Sequence, residues 1–143
     1  MTSFADIPTQ GATISIADSG GSPVAITGHQ SIAGIGSGTA SLIDVTTLLS
    51  DAKEKRMGLQ DWGTFTLTFL WNLDDAGQAE MLDAMNTRSK RTFILTLPNT
   101  DPVVTLNVWT AQVFVLQMQA NVEADGCVKG TAQLAVTGNP IWS

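Results

Sequence analysis

Thr64-Phe65-Thr66-Leu67-Thr68-Phe69-Leu70-Trp71 alternates with a period of two. Phe65, Leu67, Phe69 and Trp71 fall on one side, and Thr64, Thr66 and Thr68 on the other. Successive side chains of a strand point to opposite faces, so this stretch predicts a strand with one face in a core and one in water. A helix is expected directly after it. Asp75 is placed to cap the helix, with Gln78 at its third position, an arrangement in which each side chain reaches a free backbone N–H. Ala79, Met81, Leu82 and Met85 give the helix a short apolar face. Arg88, Lys90 and Arg91 follow at its C-terminal end, where positive charge suits the helix dipole without any ligand.

Downstream of the helix the period returns to two. Phe93, Leu95 and Leu97 alternate, a turn cluster runs over Pro98-Asn99-Thr100-Asp101-Pro102, and Val104, Leu106 and Val108 alternate again. Pairing 97 with 104 and 95 with 106 puts both apolar sets on one face and leaves a loop at 99–102. In the last hairpin Phe114, Leu116, Met118, Ala120 and Val122 oppose Gln117, Gln119, Asn121 and Glu123. Its return strand offers Val128, Ala132, Leu134 and Val136 against Lys129, Thr131, Gln133 and Thr137. A two-residue turn at Asp125-Gly126 would set polar residues against apolar ones. A three-residue loop at 124–126 pairs 122 with 128, 118 with 132 and 116 with 134, with Gly126 in a left-handed conformation.

Upstream, Ala12, Ile14 and Ile16 alternate with Thr13 and Ser15, a turn cluster follows at residues 18–23, and Val24 to Thr27 begins another strand. From Gly28 to Ser41 glycine and serine dominate, which fits a twisted ribbon or a mobile loop. The expected fold is one mainly β domain spanning residues 1–143: an antiparallel β-sandwich or barrel with one flanking helix.

Composition narrows the function. The chain has 143 residues, a net charge of −6 and 14% charged side chains, against roughly 25% in a typical soluble domain. A negative chain is a poor sequence-independent grip on phosphates, so stable nucleic-acid binding is not expected. No apolar run is long enough to span a bilayer, and the N-terminus lacks the blocks of a signal peptide, so no membrane or export role is expected. Cys127 is the single cysteine, which fits a reducing cytoplasm. His29 is the single histidine, there is no Gly-x-Ser-x-Gly elbow, and Gly34-Ile35-Gly36-Ser37-Gly38 lacks the Gly-Lys-Ser/Thr ending of a phosphate loop. The expectation is a non-enzyme with no catalytic residues, cofactor or metal. Trp71 and Trp109 read as core, whereas Trp62 and Trp142 lie at segment ends.

Charge is concentrated in Ile43 to Gly63. This run contains Asp44-Val45-Thr46, Ser50-Asp51-Ala52-Lys53-Glu54 and Gly58-Leu59-Gln60-Asp61-Trp62-Gly63, and is followed by Asp74-Asp75-Ala76-Gly77-Gln78. Together with the ending Val136-Thr137-Gly138-Asn139-Pro140-Ile141-Trp142, their order and spacing resemble the major tail tube protein of long-tailed bacteriophages. The likeness covers most of the chain and is thin before residue 28.

The resemblance implies the tail-tube fold, and rings of six copies that stack into a hollow tube. That tube would hold the tape measure protein, adjoin tail terminator and distal tail proteins, and conduct DNA into the host. It would be assembled in the host cytoplasm and located in the virion tail. The same fold serves contractile, secretion, bacteriocin and gene-transfer-agent particles. A small monomeric β-barrel binding module is the remaining alternative. On this reading residues from about 28 to 63 form a mobile assembly arm or loop, and Asp44, Thr46, Asp51, Lys53, Glu54, Arg56, Leu59, Asp61, Trp62 and Trp142 are candidates for subunit contacts. Thr64, Thr66, Thr68, Gln117, Gln119, Asn121, Thr131 and Gln133 are candidates for the tube lining, past which DNA would travel without stable binding.

Overall fold

The computed structural model describes residues 11–36, 38–98, 106–122, 124 and 126–143. In chain order the elements are β1 (Thr13–Ala17), β2 (Pro23–Ile26), β3 (His29–Ala33), β4 (Thr39–Asp44), β5 (Lys55–Asp61), β6 (Thr64–Leu70), α1 (Ala76–Thr87), β7 (Arg91–Thr96), β8 (Val108–Asn121) and β9 (Lys129–Trp142). Seven strands form one antiparallel sheet in the order β2-β1-β7-β8-β9-β6-β3, and β4 with β5 forms a separate two-stranded ribbon. The glycine-rich segment after Thr27 is thus divided: its first part joins the main sheet as β3, and its second enters the ribbon.

The alternation in β6 is realised in full. Phe65, Leu67 and Phe69 are buried, while Thr64, Thr66 and Thr68 point the other way. Phe65 meets Phe93 of β7 with ring centroids 5.0 Å apart, although two strands lie between β6 and β7 in the sheet. Such a contact requires the sheet to curl over on itself, and the two halves enclose one core of Ile14, Ile16, Phe65, Leu67, Phe69, Phe93, Val113 and Leu134. Trp109 packs edge-on against Phe65 at 5.5 Å. Its indole Nε1 is buried without a hydrogen-bond partner. Trp71 stacks on Phe69 at the margin of the core.

Both C-terminal hairpins depart from the expected register. Leu95 pairs with Trp109, not with residue 106, and Leu106 is exposed. The core face of β8 therefore starts as Trp109, Ala111, Val113 and Val115. Burying Trp109 between two phenylalanines removes far more apolar surface than Leu106 would. The expected loop at 99–102 lies outside the described residues. Further along, a bulge between Val115 and Gln117 changes the parity of β8. Phe114 and Leu116 accordingly point outward rather than into the core, and Leu134 faces Val115 instead of Leu116. Past the bulge the expected pairing holds, with Met118 opposite Ala132. Residues 122 and 128 lie beyond the ends of the two strands, and Gly126 has a positive φ of 102°.

Asp75 caps α1, its carboxylate accepting from the Gln78 N–H at 3.1 Å. The Gln78 side chain does not reach back to Asp75. It is buried, accepts from the Asn72 N–H at 2.8 Å and donates to the carbonyls of Thr27 and Leu70. One amide thus ties the helix to the ends of β2 and β6. The buried helix residues are Gly77, Gln78, Met81 and Ala84. Gly77 is needed for the close approach, because a Cβ there would stand 2.6 Å from the Ile26 Cα. Arg91 is no free cation at the helix terminus. It is buried at the start of β7, ion-paired to Asp83 at 2.8 Å and Glu80 at 3.1 Å, and donates to the Ala17 carbonyl.

Candidate assembly surfaces

The eight residues expected as a lining come together on one surface. Strand β6 pairs with β9, and β9 with β8, so their outward side chains form cross-strand rows. Thr66, Gln133 and Gln117 make one row; Thr68, Thr131 and Gln119 make the next. Thr64 lies opposite Ala135, and Asn121 opposite Lys129, at the two ends. Edge strand β3 extends the rows with Ala33 beside Thr66 and Ser31 beside Thr68. Hydroxyl and amide groups dominate the surface, and Lys129 is its one cation among these rows. The Gln117 amide donates to the Gln119 carbonyl oxygen at 2.9 Å, so these side chains partly satisfy one another.

The second surface is the β4–β5 ribbon. Asp44 pairs in register with Lys55, Ile43 with Arg56 and Leu42 with Met57. The connecting segment is held by its own short polar side chains. The Asp44 carboxylate accepts from the Thr46 N–H at 2.9 Å. The Thr46 hydroxyl accepts from the Glu54 N–H at 2.9 Å. At the tip, the Ser50 N–H donates to the Thr47 carbonyl at 3.0 Å, closing a β-turn around Leu48 and Leu49. Asp51, Lys53, Glu54, Arg56, Leu59 and Asp61 are all exposed. The hydroxyl of Thr46, and after it the Thr46 backbone N–H, favour the ionised Asp44 and hold its pKa below the ordinary carboxylate value.

The base of the ribbon is anchored to the sheet by Trp62. Its indole N–H donates to Asn139 of β9 at 3.2 Å, and it packs so closely on Gly38 that a Cβ there would lie 2.7 Å from the ring. A hollow of about 270 Å³ lies beside it, lined by Gln60, Asp61, Trp62, Val136 and Asn139. Trp142 stands apart from the ribbon, opposite Trp109 at the end of β9.

Five of the large exposed apolar side chains on this ribbon, Leu42, Ile43, Leu48, Leu49 and Met57, are absent from the residues expected at contacts. Their signal was present in the sequence as apolar residues inside a polar, turn-rich run. Among the described residues, no group of three or more His, Cys, Asp or Glu side chains is placed to hold a metal ion. Among the same residues, no helix is long and apolar enough to cross a membrane.

No family model and no curated protein matches the sequence. Solved structures do. The SPP1 tail tube aligns with a TM-score of 0.71 at 13% identity, covering 96% of this chain and 78% of that one. A chain from the PVC sheath–tube complex, an extracellular contractile injection system, aligns at 0.70 with 17% identity over 96% and 91%. A chain from the tail of an empty gene transfer agent particle with C6 symmetry aligns at 0.67 with 14% identity over 92% and 94%. The chain therefore has the tail-tube fold.

Proposed function

We propose that this protein is the repeating subunit of a phage-type tail tube, in which rings of six copies stack into a hollow tube that encloses a tape measure protein and later conducts DNA. The observation that carries this reading is the outer face of β6, β9 and β8, where Thr, Gln and Asn dominate beside the outward Phe114 and Leu116 and Lys129 is the one cation in these rows. Surfaces exposed for solubility usually carry mixed charge. A wall of neutral polar groups stays wet yet offers phosphates few cations to bind, so a polyanion would slide past it.

Among the described residues β2 and β3 are the edge strands of the main sheet, which supports the same reading, because neighbouring subunits would cover such edges. The β4–β5 ribbon, not the whole of 28–63, serves as the assembly arm, because β3 belongs to the main sheet, and the charged run from Asp51 to Arg56 sets the register between copies. A subunit of a contractile or gene-transfer-agent tube is the second reading, supported by the alignments to the injection system and to the C6-symmetric tail.

Electron microscopy of the concentrated purified protein tests the proposal. Rings or tubes are expected, and charge reversal of Lys53 and Arg56 together should impair tube formation while the monomer stays folded. A protein that remains monomeric at high concentration would overturn it in favour of a small binding module.

A further inference from the structure

Two stretches far apart in the chain, Gln60-Asp61-Trp62 and Thr137-Gly138-Asn139, wall the hollow of about 270 Å³ at the foot of the ribbon. A strand irregularity builds it. Thr110 faces Ile141 and Gln112 faces Thr137, so β9 carries two residues more than β8 between these pairs. Gly138 takes a positive φ of 75° there, and a Cβ on it would meet nothing within 4 Å. Bulges re-aim side chains and recur beside functional sites. Here the bulge brings the Asn139 side-chain oxygen to the Trp62 indole, which donates to it at 3.2 Å.

The chemistry of the wall selects a class of ligand. Trp62 is half-buried; Gly38 closes one side of its ring, and the hollow lies on the remaining surface. Around that ring stand the Gln60 amide, the Thr137 hydroxyl and the amide N–H groups of Asn139. One oxygen of Asp61 accepts from the Gly63 N–H at 2.9 Å, and the other faces outward as a further acceptor. Amides and hydroxyls offer both donors and acceptors, which matches the hydroxyls of a ligand. Among the described residues that line the hollow there is no lysine, arginine or histidine. A phosphate or sulfate would therefore meet only the Asp61 carboxylate, which repels it. The volume lies below the about 300–1,000 Å³ of pockets for drug-sized ligands, which suits a single ring. A single ring with an apolar face for the indole and hydroxyls around its rim is a pyranose.

We propose that the hollow beside Trp62 binds a neutral pyranose, stacked by its C–H face on the indole. The Gln60 and Asn139 amides and the Thr137 hydroxyl bond the sugar hydroxyls, and the outer oxygen of Asp61 accepts from one more. The site belongs to the free subunit and does not depend on the tube reading, so sugar binding and tube formation succeed or fail separately. A ligand of about a dozen heavy atoms in an open hollow binds with a Kd of about 1 mM.

The test is an NMR titration of the full chain, labelled with nitrogen-15, by methyl glucoside, methyl mannoside and N-acetylglucosamine in turn. At least one should move the Trp62 indole N–H and the Gly138 amide along a saturable curve. Loss of one indole signal in Trp62→Phe assigns the first of these. The double variant Gln60→Ala/Thr137→Val keeps the indole and removes two hydroxyl partners, so it should bind about tenfold more weakly or worse. Gln60 is exposed and Thr137 half-buried, both outside the core, so the variant should keep the wild-type circular dichroism spectrum and thermal midpoint. No saturable shift with any of the three sugars overturns the proposal. Equal shifts from glycerol at the same hydroxyl concentration do so too, since they show no recognition of a ring. Shifts from choline and none from the sugars would replace it with a cation site made by Asp61 and Trp62. Undiminished affinity in the double variant removes the assigned contacts and the proposal with them.

Discussion

Gln117 and Gln133 stand opposite each other across β8 and β9, immediately past the bulge that turns Leu116 outward. The bulge is what makes the outer face continuous. Before it, the even-numbered residues of β8 point outward; after it, Gln117, Gln119 and Asn121 do. If Leu116 were instead a regular paired residue of the strand, these three amides would turn toward the core and Met118 would leave it. Deletion of Leu116 removes the extra residue and leaves Val115 opposite Leu134 and Gln117 opposite Gln133, so it should keep both faces and cost about 1 kcal/mol or less. Leu116→Thr, which keeps the chain length, should stay within about 0.5 kcal/mol of wild type. Urea unfolding of the two variants checks this, and a deletion variant destabilised by about 3 kcal/mol or more would refute Leu116 as the extra residue of the bulge.

Arg91 is the one buried cation among the described residues, and its partners differ in exposure: Glu80 is 30% exposed and Asp83 53%. Arg91→Ala removes both ion pairs and strands the Ala17 carbonyl, for an expected loss of about 2–4 kcal/mol. Asp83→Ala should cost about 1 kcal/mol or less, since that carboxylate is half in water. Arg91→Met should recover part of the loss through packing. Equal effects for Arg91→Ala and Asp83→Ala in denaturant titrations would contradict this division.

What the sequence disclosed and what it hid follow one physical rule. Strand β6 was legible residue by residue because each side chain has one environment on each face. The Asp75 cap was legible because its partner lies three residues away. The faces of β8 were not, because apolar residues occupy both parities from Val113 to Leu116 and the choice between them depends on Trp109 meeting Phe65 and Phe93 from distant strands. The amide of Gln78 reads as a local cap, yet it binds backbone at Thr27, 51 residues upstream. The eight residues expected to line the tube fall on one surface because they follow strand parity. Leu48 and Leu49 were legible only as apolar residues in a polar, turn-rich run; their exposure was not, since it depends on where the ribbon projects and not on a two-residue pattern.

The ribbon should respond to acid through Asp44. Hydrogen bonds from Thr46 stabilise its carboxylate, so its folded pKa lies below the ordinary value. The contribution to the turn is fully present above the ordinary carboxylate pKa and is lost as pH falls through the lowered folded value. The Thr46 amide resonance should therefore shift, and its protection against exchange relative to an unprotected amide fall, only at that acidic end. Asp44→Asn keeps an acceptor but removes the charge, and its Thr46 amide should show no such transition. A transition of equal size in Asp44→Asn would assign it to another group.

The neutral outer face makes the most direct statement about function. If polyanions slide past it because cations are scarce, adding cations there should stop them. Gln133→Lys with Gln117→Lys places two ammonium groups side by side in one row, since these positions pair directly across β8 and β9. Both side chains are exposed, so stability should change little, although two like charges in register cost about 0.2–1 kcal/mol. In a sixfold ring the pair would be repeated six times, and every phosphate that a lysine neutralises releases a counterion. Wild-type assemblies should show no retention of double-stranded DNA at moderate salt. The double lysine variant should retain it, with affinity falling steeply as salt rises. Retention by wild type equal to that of the variant would remove the low-friction argument, and unchanged behaviour of both would place this face away from the path of DNA.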